Sequence, residues 1–180
     1  MPKDPAPQAE PVVETLVVDD RFGEISVRLD VVRGEVVVAG ERVPRIEIRR
    51  AEGTEAEEYI PVGTRDGTLL TLTVDGTDAV IEPAKGRLTR RSFRVDVRYG
   101  EHSWRLVPNS TDDSGLFRDA TEHIGDFSSE GDGRVVGEWR ADAEPEALDA
   151  AFGYALAAAF GTGAEPTWTL TAQGFGDLFF

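Results

Sequence analysis

The chain has 180 residues, 19.6 kDa of mass and a formal net charge of -15, from 19 basic and 34 acidic side chains. That length suits one domain with an ordinary hydrophobic core, needing no metal or disulfide staple. The charge argues against a general nucleic-acid binder, because phosphates are repelled. The absence of cysteine excludes a disulfide framework, a zinc ribbon, an iron–sulfur cluster and a thiol nucleophile.

The first eleven residues, Met1 to Pro11, contain four prolines and no apolar run. They read as a disordered or polyproline-like lead-in, not as a secretory signal. From Val12 to about Arg140 the dominant period is two. Ile25, Val27, Leu29 and Val31 are expected on one face of a strand, with Ser26, Arg28 and Asp30 on the other. Ile46 and Ile48 alternate with Arg45, Glu47 and Arg49. Phe93, Val95, Val97 and Tyr99 alternate with Arg94, Asp96 and Arg98. Such runs are half-buried antiparallel strands. Asp75-Gly76 stands between the apolar runs Leu69–Val74 and Ala79–Ile81, which is a hairpin signal, since the turn needs positive φ. Arg33-Gly34, Asp66-Gly67, Tyr99-Gly100 and Asp132-Gly133 read as further turns. The pattern predicts about 9–11 short strands, hence a barrel or strongly curved antiparallel sheet.

The period changes at residues 147–160. Leu148, Phe152, Leu156 and Phe160 recur every four residues in an alanine-rich run, with Pro145 before it and Gly161 after it. Asp149 is its one charged residue. A helix that is apolar all round must be buried all round, so the expected place is inside the sheet. The run is too short to span a bilayer. A last strand is expected at Thr167–Thr171. The domain reading is therefore a lead-in at 1–11, one mostly-β domain (β+α) at 12–173, and an apolar tail at 174–180. The expected location is cytoplasmic.

The segments Ser103–Pro108, Ile124–Phe127 and Val135–Trp139, with the helix that runs to Phe160, make a barrel around a hydrophobic helix. This layout, over residues 12–160, resembles the tubby C-terminal-like superfamily, which includes the LURP-one-related proteins and phospholipid scramblases. The resemblance implies a lipid-, phosphoinositide- or protein-binding module more than an enzyme, and it transfers no catalytic residue. The chain departs from that pattern by running on through a further strand after the helix.

The most informative local feature is basic. Lys85, Arg87, Arg90, Arg91, Arg94 and Arg98 oppose only Asp96, giving +5 over residues 85–98 against -20 for the rest. Grouped guanidinium ions suit bidentate recognition of phosphate or carboxylate. Arg87, Arg90, Arg91, Arg94 and Arg98 are thus the candidate site for an anionic lipid headgroup or acidic partner. Arg42, Arg45, Arg49 and Arg50 would join it if their strand were adjacent. The opposing reading is a strand face whose arginines pair with neighbouring acids. Phe175, Leu178, Phe179 and Phe180 form a second candidate surface, for self-packing or for a protein partner.

Other chemistry has weaker sequence support. His102 and His123 are 21 residues apart, and His102 cannot form a triad with its strand neighbours Glu101 and Ser103, which point to the opposite face. The acidic loops Ser110–Gly115 and Ser128–Gly133 lack the spacing of a calcium loop. No metal or cofactor is expected. The leading expectation is a non-enzymatic binding module. The alternatives are an assembly component using its acidic surface and aromatic tail, and a hydrolase built from paired carboxylates.

Overall fold

A computed structural model describes residues 11–85, 93–110 and 112–162. Arg87, Arg90, Arg91, the expected strand Thr167–Thr171 and the tail residues Phe175, Leu178, Phe179 and Phe180 lie outside the described residues. Eleven strands run in chain order, each hydrogen-bonded to the next in an antiparallel meander. They are β1 Val12–Asp19, β2 Gly23–Asp30, β3 Glu35–Gly40, β4 Val43–Arg50, β5 Leu70–Val74, β6 Thr77–Pro83, β7 Val95–Tyr99, β8 His102–Pro108, β9 Asp113–Arg118, β10 Glu122–Ser128 and β11 Val136–Trp139. One helix follows, α1 Ala147–Phe160.

The alternation in the strands does what its period requires. Ile25, Val27, Leu29, Ile46, Ile48, Val95 and Val97 are buried, while their sequence neighbours face outward or lie half-exposed, except Asp30, which is buried at the end of β2. Val31 departs from the expected face: β2 ends at Asp30, and Val31 enters the turn with 39% exposure. The Asp75-Gly76 hairpin forms as predicted, with φ of 48° and 84° at its two central residues.

The expected barrel is nearly closed, and α1 threads it. The helix packs on β2, β3, β4, β8, β9, β10 and β11, and every residue from Asp149 to Ala159 is buried. At Gly153 the helix presses close against the wall, because a Cβ there would overlap the Phe127 ring. Gly137 on β11 likewise admits the Tyr154 hydroxyl and the Phe127 ring.

An odd number of strands in a meander makes the first and last run the same way. β1 and β11 share no ladder among the described residues, and side chains stitch the seam between them. Thr15 Oγ1 donates to the Gly133 carbonyl at 3.3 Å. The Trp139 indole N–H donates to both Asp19 oxygens at 3.1 and 3.0 Å, and the Tyr154 hydroxyl reaches Asp19 from the helix at 2.7 Å.

In a meander alternate connections lie at the same end. The tight turns after β1, β3, β5, β7 and β9 gather at one end, and all five longer connections gather at the other with the C-terminus of α1. The longest is residues 51–69 between β4 and β5, which no hydrophobic period announces. It folds inward at Pro61, Val62, Gly63 and Thr64, all buried, and the Val62 N–H caps the helix at the Ala159 carbonyl, 3.0 Å away. This end is the mouth of the barrel.

Candidate functional site

The structure separates the arginines that the sequence invites one to group. β4, with Arg45, Arg49 and Arg50, is divided from β7 by β5 and β6, so the two basic strands do not adjoin. Arg94 lies 3.5 Å from Asp96, which also takes Arg105 at 2.6 Å, and Arg98 reaches Glu82 at 3.3 Å. On β4, Arg45 and Arg49 share Glu47, and Arg49 and Arg28 share Glu35. The described strand-face arginines are thus neutralised in the sheet, where exposed pairs contribute about 0–1 kcal/mol each.

Arg50 has a different duty. It donates through Nη1 to the Val62 carbonyl and through Nη2 to the Val32 carbonyl, both at 2.9 Å. It thereby fastens the 51–69 connection to the rim.

Both histidines have carboxylate partners. His102 Nδ1 is 2.9 Å from Asp119, on the surface at the end opposite the mouth. The Asp119 side chain raises the imidazole above its ordinary value, and His102 holds Asp119 below the usual carboxylate range. His123 Nε2 is 2.9 Å from Asp126, with its ring stacked on Phe117. Neither pair has a hydroxyl nucleophile hydrogen-bonded to it among the described residues. No group of three or more His, Asp or Glu side chains converges for a metal ion among the described residues.

Asp149, the one charge in the helix, is fully buried. It accepts from the Trp104 indole at 2.7 Å, from Arg118 Nη1 at 2.6 Å and from the Glu146 N–H at 2.7 Å. Burial pushes its carboxyl up, against the pull of those three donors. Desolvation likewise raises the Tyr154 phenol, with Asp19 adding to it. Asp149 and Asp19 thus anchor the helix within the barrel.

The mouth holds a cleft of about 1050 Å³. Its apolar wall includes Ile60, Pro61, Phe93, Val95, Leu106 and Phe160. Arg65 stands in this wall. Its guanidinium carbon lies 5.5 Å from the Phe93 ring centroid and 5.4 Å from that of Phe160. Nε donates to the Ala84 carbonyl at 2.7 Å, and Nη2 donates to those of Phe93 and Arg94 at 2.8 and 3.2 Å. Among the described residues Nη1 has no acceptor, and no carboxylate lies within 4.0 Å of the group. Burial pulls Arg65 down to about 10, with Glu57 acting in the opposite direction, so it remains charged at neutral pH.

The rim is exposed and mixed in charge, with Lys85 on one side and Glu57, Glu58 and Glu130 on the others. Tyr59, 76% exposed, projects there from a backbone at φ 70°, a strained setting for an aromatic residue.

Sequence reasoning missed Arg65. It sits in a stretch without periodicity, and one arginine among 17 carries no signal until the fold surrounds it with aromatic rings. No family model, no curated protein and no solved structure matches the chain.

Proposed function

We propose that the protein is a non-enzymatic binding module whose mouth cleft takes an amphiphile with an apolar chain and an anionic head, carboxylate or phosphate. The observation that carries this reading is Arg65: a charged guanidinium, half-buried between Phe93 and Phe160, with no carboxylate partner among the described residues in a chain of net charge -15. An anion on Nη1 supplies the missing acceptor in a desolvated setting, where charge-assisted hydrogen bonds are strong. The apolar tail of such a ligand covers Val95, Leu106 and Phe160. The exposed acids of the rim act through solvent and are screened by salt. The resemblance to the tubby-like superfamily read from the sequence implies the same ligand chemistry as an expectation.

Calorimetric titration of the full chain tests it. Dodecanoate and dodecyl phosphate bind; dodecanol, with the same chain and no charge, binds at least about tenfold more weakly. Arg65→Gln removes the preference, and Arg65→Lys, which keeps the charge, retains part of it. Equal binding of dodecanol, or no binding of either anion, overturns the proposal. Cosedimentation with phosphatidylserine vesicles separates a headgroup held in a bilayer from a free amphiphile.

A further inference from the structure

The mouth cleft has a second candidate occupant, and the chain itself carries it. Thr162, the last described residue, is buried at the cleft's edge. Its carbonyl accepts from Ser114 Oγ at 2.6 Å, its Oγ1 meets the Asp112 carbonyl at 2.7 Å, and the Ser129 N–H donates to that same Oγ1 at 2.8 Å. Ser114 and Ser129 both line the cleft. The chain therefore leaves the barrel at a fixed point beside the apolar wall.

Eighteen residues follow, and the last seven read Gly-Phe-Gly-Asp-Leu-Phe-Phe. Phe175 lies thirteen positions beyond Thr162, an extended reach of about 43 Å. That greatly exceeds what is needed to return to a cleft already at the exit point. The chemistry is complementary as well. Phe175, Leu178, Phe179 and Phe180 match a wall of Ile60, Pro61, Phe93, Leu106 and Phe160, and Asp177 is a carboxylate for Arg65, which has none among the described residues.

We infer that the segment 174–180 docks in the mouth cleft of its own chain, with its aromatic side chains on the apolar wall and Asp177 at Arg65, and that an incoming anionic amphiphile must displace it. The displacement step rests on the ligand reading given above; the docking itself does not. Docking is intramolecular, so even a weak contact is held at high effective concentration. The amphiphile and the segment share the same two requirements, an apolar body and one negative charge, and so they exclude one another.

The absence of native cysteine makes a direct test clean. The pair Ile60→Cys/Phe179→Cys is oxidised in the full-length chain beside a control, Val80→Cys/Phe179→Cys, whose first cysteine lies on the outer wall on β6. The cleft pair closes an intrachain disulfide at least about tenfold faster than the control, because docking raises the local thiol concentration. Equal rates overturn the inference, and so does a disulfide formed between two chains. A second measurement leaves the barrel untouched: Phe179→Ser/Phe180→Ser raises dodecanoate affinity by about tenfold through loss of the competitor. Unchanged affinity overturns displacement. Disulfide closure with no dodecanoate binding to either protein leaves docking standing and removes the ligand reading, so the two failures are distinguishable.

Discussion

The Tyr154 hydroxyl donates to Asp19 at 2.7 Å, joining the middle of the enclosed helix to the end of the first strand across 135 residues of chain. Asp19 also takes the Trp139 indole N–H and the backbone N–H groups of Arg21 and Phe22. One carboxylate therefore ties β1, β11 and α1 together where the barrel has no ladder. Tyr154→Phe removes one donor and lowers unfolding free energy by about 1–2 kcal/mol. Asp19→Ala strands the indole and phenol donors together and costs about 3 kcal/mol or more. Urea unfolding followed by tryptophan fluorescence measures both; an Asp19→Ala protein as stable as the parent contradicts this role.

Asp149 makes a parallel prediction at the other end of the helix. Asp149→Ala leaves the buried Trp104 indole without an acceptor, while Arg118 keeps Glu122 at 3.0 Å, so stability falls by about 1–3 kcal/mol. In the double change Asp149→Ala/Arg118→Met the loss is smaller than the sum of the two single changes, since the Asp149–Arg118 contact is counted once. Strictly additive losses, read by urea unfolding of Asp149→Ala, Arg118→Met and the double mutant, refute the pairing.

Gly153→Ala opposes two effects of known sign. Alanine is the better helix former by about 1 kcal/mol. Its methyl group, however, overlaps the Phe127 ring, and such overpacking costs about 1–3 kcal/mol. Net destabilisation is expected, with recovery in Gly153→Ala/Phe127→Leu. Thermal melts of the three proteins decide the point, and a more stable Gly153→Ala rules out tight contact there.

The His102–Asp119 pair carries a pH signature. The folded-state imidazole is raised, so its contribution is fully present below the unfolded histidine value near 6.5 and is lost as pH climbs through the folded value. Asp119 is depressed, so its contribution is present above the unfolded value near 3.8 and is lost as pH falls through the folded one. The pair is therefore complete in the interval between those two titrations. Proton NMR of His102 is expected to show a midpoint above 6.5 that returns to the ordinary range in Asp119→Asn. An identical midpoint in both proteins removes the interaction.

Much of the architecture is legible in the sequence, and the reasons are local. Ile25, Val27 and Leu29 declare their strand because a pleat has period two. Asp75-Gly76 declares its hairpin because the turn requires positive φ at both residues. The helix bounds coincide with the alanine-rich run, and its lack of a polar face predicts its enclosure. What was not legible depends on partners distant in sequence. Asp19 and Asp149 are two among 34 acids, and nothing nearby marks them as buried. Arg45 and Arg49 resemble Arg94 and Arg98 in pattern, but strand order alone determines that β5 and β6 stand between them. The plug at Pro61–Thr64 has no period at all, because its burial follows from the opening it fills and from the Ala159 carbonyl it caps.

The meander order governs how the molecule comes together. Each ladder in the meander joins strands adjacent in sequence, and closure entropy grows only slowly even for the 51–69 connection. Only the β1–β11 seam and the threading of α1 require distant parts of the chain to meet. Those late contacts hold the cost of long-range closure, and they rest on a few side chains instead of a backbone ladder. The seam is thus the line along which the barrel is expected to finish folding and to begin opening. Amide exchange should find β1 and β11 less protected than β2 through β10, although all of them surround the same core.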